Sequence, residues 1–235
     1  MNILAIIVII LLIINLYYSI NAFIENFTNE YDNIDAFIYI NLENREDRKK
    51  LLLDEFKKLN IPEEKIRKIS GVRIPKNGHK GCIQSHILAL QMAKMNNWKT
   101  VAIFEDDAEL DIEPDVFKNM IKEAMSVDNW NMIILHGAYQ SIKENKEIEG
   151  HPELHYLKHS TQSTGYIIKD TYYDKLLNLF MHCNDMMSKD NWEKPGSWES
   201  HALDQQWNKL VEKDNWIGFK KNLLRQRAIS SNIMS

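Results

Sequence analysis

From Asp35 onward, short apolar runs alternate with segments whose apolar residues recur at helical spacing. The run AFIYINL (36–42) predicts a strand, and the following REDRKKLLLDEFKKL carries Leu51, Leu52, Phe56 and Leu59 on one face and charges on the other. IRKISGV (66–72) predicts a second strand and CIQSHILALQMAKM (82–95) a helix with Ile83, Ile87, Leu90 and Met95 inward. TVAIFEDD (100–107), NMIILHG (131–137) and STGYIIK (163–169) predict further strands. Helices are expected over PDVFKNMIKEAM (114–125), TYYDKLLNLFM (171–181) and ALDQQWNKLVEK (202–213), with a late strand in NWIGFKKNLL (215–224). The runs through Phe104 and Ile133 do not alternate, which marks strands buried on both faces and so a largely parallel sheet. The expected fold class is therefore α/β, one domain with helices on both faces of a mostly parallel central sheet. Residues 136–160 and 184–200 are weakly patterned and read as long loops of the kind that form lids or bind an acceptor.

The first residues follow another pattern. Ile3 to Ile20 is about 18 residues long, uncharged, with Asn15 as its internal polar residue. At about 1.5 Å per residue it nearly spans a hydrocarbon core, and Tyr17 and Tyr18 would sit at an interface. The expectation is an uncleaved transmembrane anchor over residues 1–22, with a cleaved signal peptide as the competitor; the short n-region and bulky Ile20 count against cleavage. Residues 23–34 read as an acidic, polar stem containing the sequon Asn26-Phe27-Thr28, and 35–235 as the folded domain. No Lys or Arg precedes Arg45, so charge gives no orientation; the expected localisation is single-pass membrane with the domain lumenal or extracytosolic.

The net charge of −4 argues against a nucleic-acid-binding surface, and short lysine patches such as Lys220–Lys221 read as solvated faces. Two cysteines, Cys82 and Cys183, exclude a disulfide framework; one bridge between them stays open beside two buried free thiols.

The chemistry concentrates where TVAIFEDD ends. Glu105, Asp106 and Asp107 stand at the carboxyl end of a strand, where open α/β sheets bind ligands. Three adjacent like charges are costly to bury unless a divalent cation compensates them, and oxygen ligands suit Mg²⁺ or Mn²⁺, which bring phosphate with them. The alternative is a solvated acidic turn capping the next helix. Arg45 and Arg48, just past the first strand, could approach a nucleotide, the guanidinium fork suiting phosphate or a base edge. Cys82 and His86 are four apart on a helix, the spacing of a zinc pair, but the sequence offers no companions. His151, His155 and His159 share that spacing in an expected loop, where surface residues are the simpler reading.

FIYINLENREDR (37–48), GCIQSH (81–86), VAIFEDDAEL (101–110), TGYIIKDTYYDKLL (164–177) and LDQQW (203–207) resemble, in order, the landmarks of glycosyltransferase family 25. That family includes bacterial lipooligosaccharide galactosyltransferases and collagen hydroxylysine galactosyltransferases. The resemblance implies a GT-A type, Rossmann-like fold, a UDP-sugar donor carrying galactose or glucose, and inverting transfer to a hydroxyl on a glycan or protein. It implies Mn²⁺ or Mg²⁺ at Glu105, Asp106 and Asp107, with Asp107 the direct ligand and Glu105 or Asp106 sharing the metal or binding donor hydroxyls. Arg48 matches the arginine of the opening motif. Ser85 and His86 match the family's Ser-His pair, which touches donor or acceptor or orders its helix. Asp204 matches an acidic position and is the expected base for the acceptor hydroxyl, with acceptor positioning and a helix cap as its other roles. Gly165 and Tyr166 would wall the pocket, and Gln226 and Ser231 would close the donor site. One departure is Gly78-His79-Lys80, where many relatives carry a Gly-Glu pair, which bears on acceptor handling.

Two other readings remain at this point. A catalytically silent relative would keep the nucleotide or glycan site without turnover. A phosphate-ester hydrolase would use the acidic cluster, against which stands the lack of an Asp-x-Asp-Gly-Thr type motif.

Overall fold

The computed structural model describes residues 9–19, 31–137, 146–189 and 201–228. The chain divides into two units, residues 1–33 and 34–235.

In the first unit, residues 9–19 form helix α1, with every side chain exposed. Among the described residues no helix is long and apolar enough to cross a membrane. The remainder of the expected anchor and the sequon at Asn26 lie outside the described residues.

The second unit runs β1 (Ala36–Asn41), α2 (Glu46–Lys58), a 3₁₀ turn (Glu63–Lys65), β2 (Ile66–Ser70), α3 (Gly78–Met95), β3 (Thr100–Glu105) and β4 (Ala108–Leu110). It continues with α4 (Pro114–Ser126), β5 (Met132–Ile134), β6 (Lys146–Ile148), β7 (His151–Tyr156), β8 (Gly165–Lys169) and α5 (Asp170–Lys189). Two short helices, α6 (Leu203–Gln206) and α7 (Asn208–Val211), precede β9 (Trp216–Phe219) and β10 (Leu224–Gln226).

Eight strands make one sheet in the order β2-β1-β3-β8-β5-β9-β7-β6. Strands β2, β1, β3, β5, β9 and β6 point one way, and β8 and β7 run against them. The fold is thus α/β with a central sheet mostly of one direction. Direction was not readable for β8: Gly165–Ile168 is as completely buried as β3 or β5, and a continuous apolar run reports burial on both faces, not polarity. The reversal matters, because it brings the start of β8 beside the end of β3, where the Glu105 N–H donates to the Thr164 carbonyl at 3.0 Å.

Other expectations are corrected. Residues 146–156 are not loop but the hairpin β6–β7, which extends the sheet through β9; its exposed, charged edge lacks a hydrophobic signature. His151 and His155 accordingly sit on a strand. Helix α5 continues to Lys189, well past the expected end at Met181. The segment 202–213 is two short helices, and Met95 on α3 is 82% exposed while Ala89 and Ala93 face inward. Cys82 and Cys183 are free thiols.

The core gathers the inner faces of β1, β3, β5 and β8 against α3 and α5. Trp207 is its far anchor. Fully buried, its indole N–H donates to the Ser160 carbonyl at 2.7 Å, and its ring meets Tyr166 and Trp216 edge-on. Burying an indole with its N–H satisfied both stabilises and orients, so Trp207 fixes the α6–α7 turn that carries Asp204.

Candidate active site

The parallel strands β1, β2 and β3 end together, and a cleft opens beyond their carboxyl ends. It encloses about 100 Å³ and opens to solvent. Arg45, Arg48, Ser85, His86, Glu105, Asp106 and Asp107 all line it, so residues scattered over 63 positions of sequence meet at one place.

Each of the three carboxylates has its own surroundings. Asp106 is 8% exposed and both its oxygens are engaged: Oδ2 accepts from Asn41 Nδ2 at 2.9 Å and Oδ1 from Arg48 Nη1 at 2.7 Å. Glu105 Oε1 accepts from Ser163 Oγ at 2.5 Å and lies 3.3 Å from His86 Nε2. Asp107 is 6% exposed; its Oδ2 accepts from Gln226 Nε2 at 3.1 Å and more weakly from Arg48 at 3.4 Å, while its buried Oδ1 has no hydrogen-bond partner among the described residues. Burial, reinforced by the charge of Glu105, pushes the Asp107 carboxyl up to about 7. Burial pushes Glu105 up as well, but the hydrogen bond and charge of His86, with Ser163 and Arg48, outweigh it and hold Glu105 below its ordinary value.

Local sequence explains how these groups are held. Gly81 lets α3 press against the segment after β2: a Cβ there would lie 2.3 Å from the Val72 carbonyl oxygen. One turn on, Ser85 Oγ accepts from the Val72 N–H and donates to the Gly81 carbonyl, both at 2.8 Å. The hydroxyl thus ties residues 71–74, part of the cleft wall, to the helix. One residue further, His86 is fully buried, with Nδ1 2.9 Å from the Tyr166 hydroxyl and Nε2 aimed at Glu105. On the other side β10 pairs antiparallel with β4, which sets Gln226 opposite Ala108. From there its amide reaches Asp107, and the Arg227 N–H donates to the Asp107 carbonyl at 2.7 Å.

A second cavity adjoins the first, lined by His79, Gln162, Ser163, Asp204 and Gln226, and sharing Cys82 and Glu105 with it. Asp204 is not a cap: Ala202 holds that position, and Asp204 instead accepts from the Gln162 N–H at 2.8 Å. Burial first, and the charge of Glu105 after it, raise its pKa. Ser231 lies outside the described residues. Residue reasoning missed Asn41, Arg73, Ser163 and Arg227; Ser163 reaches the site only because β8 runs antiparallel, a feature with no sequence signal.

A cation of the kind expected from the carboxylates would find one hard ligand here. The three do not form a common cage, since Asp106 is committed to Arg48 and Asn41, but the unpartnered Oδ1 of Asp107 is a free hard ligand at the cleft. One or two carboxylates, with the rest of the shell from water and phosphate, is the usual manner of holding Mg²⁺ or Mn²⁺ beside a nucleotide.

No curated protein matches the chain significantly. Among solved structures, A197 from STIV is similar over 84% of this chain and 87% of that one, at 14% identity and TM-score 0.42. Mannose-1-phosphate geranyltransferase from Thermus thermophilus is similar over 80% and 73%, at 8% identity and TM-score 0.46. A glycosyltransferase involved in the glycosylation of the major capsid of PBCV-1 is similar over 79% and 91%, at 9% identity and TM-score 0.41. The family model for glycosyltransferase family 25 (LPS biosynthesis protein) matches residues 34–192, a stretch that contains both walls of the cleft, and the chain therefore belongs to that family and is a glycosyltransferase.

Proposed function

We propose that this chain is a membrane-anchored, metal-dependent transferase of GT-A type that moves a hexose, galactose or glucose, from a UDP-sugar to a hydroxyl of a glycan or protein acceptor with inversion. The observation that carries the reading is the buried Oδ1 of Asp107, without a hydrogen-bond partner among the described residues, at the mouth of a cleft whose other wall is basic. A buried carboxylate oxygen without a protein partner calls for a water, an ion or a ligand. Mn²⁺ or Mg²⁺, held by Asp107 with Glu105 or Asp106 near it, would supply charge neutralisation of the leaving diphosphate.

The chain's own residues do the rest. Arg45, Arg48 and Arg73 line the donor cleft and meet the nucleotide's phosphates or base edge. Arg48 also keeps Asp106 in place, so its guanidinium is oriented before the donor arrives. Gln226 orients the Asp107 carboxylate. Ser85 holds the cleft wall, and His86 fixes Glu105, whose free lone pairs are available to donor hydroxyls. The acceptor enters the second cavity. Asp204 takes the proton of its hydroxyl as the acceptor oxygen bonds to the sugar's anomeric carbon. The bond from that carbon to the diphosphate breaks on the opposite face, and the electron pair leaves with the UDP. A carboxylate with a raised pKa is a stronger base than an exposed one, as this step needs. The apolar N-terminus would tether the domain to an extracytosolic membrane face.

The test uses the detergent-solubilised full chain, a panel of UDP- and GDP-sugars, and nucleotide release scored with Mn²⁺, with EDTA and in Asp107→Ala. Release from one donor, abolished by EDTA and by the substitution, supports the reading. A folded protein that neither releases nucleotide nor binds any donor in the presence of Mn²⁺ refutes it.

A further inference from the structure

Cys82 and His86 are one turn apart on α3, and β3 delivers Glu105 across from them, so that Sγ, a ring nitrogen and a carboxylate oxygen lie within 4.8 Å of one another. We propose that these three side chains form a binding site for a thiophilic divalent cation of the Zn²⁺ class, separate in ligand chemistry from the oxygen site at Asp107. The proposal goes beyond the transferase reading and does not depend on it.

Two of the three separations are close to those of a formed site. Zinc bonds of about 2.3 Å to sulfur and about 2.1 Å to nitrogen and oxygen, at tetrahedral angles, put oxygen and nitrogen about 3.4 Å apart and oxygen and sulfur about 3.6 Å apart. Glu105 Oε1 lies 3.3 Å from His86 Nε2 and 3.9 Å from Cys82 Sγ. The sulfur lies within 4.8 Å of the ring nitrogen, against about 3.6 Å in a formed site, so Cys82 must swing toward the histidine as the cation binds. The supporting shell is also present. Tyr166, itself buried, sits 2.9 Å from His86 Nδ1 and can accept its N–H when Nε2 becomes a ligand, the arrangement that fixes the tautomer of metal-bound histidines. Ser163 Oγ also donates to Glu105 Oε1, at 2.5 Å.

Access is provided as well. Cys82 and Glu105 line both cavities, so a cation can enter and its fourth position remains open to water or to a substrate oxygen, the pattern of an exchangeable rather than a sealed site. As the sulfur–metal bond forms, the thiol proton passes to solvent. A cation here sits on the wall between the two cavities and withdraws Glu105 from the donor side.

Cobalt(II) titration of the detergent-solubilised full chain tests the site, because a Co²⁺–thiolate bond gives a near-ultraviolet charge-transfer band that oxygen and nitrogen ligands do not. The expected result is a band saturating at one equivalent and bleached by Zn²⁺. It is lost in Cys82→Ser, retained in Cys183→Ser and Asp107→Asn, and shifted at least about tenfold to weaker binding in Glu105→Gln. Retention in Asp107→Asn separates this site from the Mn²⁺ site, whether or not the latter proves real. In the wild type, with no substitution to disturb folding, Zn²⁺ must also slow alkylation of Cys82 in peptide mapping. No band in the folded wild type, a band that survives Cys82→Ser, or alkylation of Cys82 indifferent to Zn²⁺ overturns the proposal.

Discussion

Replacing Asp107 by asparagine should stabilise the metal-free protein at neutral pH while removing the proposed cation ligand. The reasoning starts from the carboxyl's position: 6% exposed, one oxygen unpartnered, and a pKa raised from 3.8 to about 7 by burial and by the charge of Glu105. The unfolded chain ionises this group near its ordinary value, whereas the fold holds the proton up to about pH 7. Between those values the folded state binds more protons than the unfolded one, so stability falls as pH rises and levels off above the folded value. With these two pKa values, the cost attributable to Asp107 grows by about 2–3 kcal/mol between pH 5 and pH 8. An asparagine has the same shape and no charge to desolvate. Urea unfolding of the wild type and Asp107→Asn in EDTA at both pH values reports this carboxyl together with its coupling to Glu105, since titrations remote from the cluster cancel in the difference. The variant should gain relative to the wild type by about that amount as the pH is raised. Mn²⁺ should restore the wild type at pH 8 and leave the variant unmoved. Because the proton and the cation compete for one oxygen, apparent Mn²⁺ affinity should also fall about tenfold from pH 8 to pH 6. A variant that loses stability relative to the wild type between pH 5 and pH 8 refutes the placement of an uncompensated carboxylate at this point.

Arg48→Met removes the cation that Asp106 faces at 2.7 Å and should cost about 3–5 kcal/mol in urea unfolding, because it strands a buried charge. Gly81→Ala drives a Cβ to 2.3 Å from a backbone oxygen; thermal unfolding should show a loss of about 1–3 kcal/mol, and donor affinity should fall with it as the 71–74 wall shifts. Asp204→Asn should lower the transfer rate by about 10²–10⁴ with donor affinity unchanged in equilibrium binding, whereas loss of donor binding would move Asp204 out of the acceptor cavity.

What could be read from the chain, and what could not, follows from the range of the interactions involved. The strand carrying Phe104 and the helix carrying Leu52 and Phe56 announce themselves through local periodicity, and the acidic triple stands at a strand end because the apolar run stops there. Placing Arg48 and His86 beside that triple follows from the parallel β1-β3 pairing, which gathers the carboxyl ends of successive strands. The individual fates of three neighbouring carboxylates were not legible, because each is decided by a partner far along the chain. Asp106 meets Asn41 and Arg48, Glu105 meets Ser163, and Asp107 meets Gln226 across a two-stranded clip with no hydrophobic pattern of its own. The same distinction explains the zinc pair. Cys82 and His86 show their spacing on one helix, but their companion arrives from a strand, and only the fold supplies it. Residue type and spacing thus nominate ligands, while strand order and direction decide which of them share an atom-sized space. The antiparallel entry of β8 between β3 and β5 makes that decision here, since it sets Ser163 and Tyr166 behind Glu105 and His86 and fixes both against the cleft.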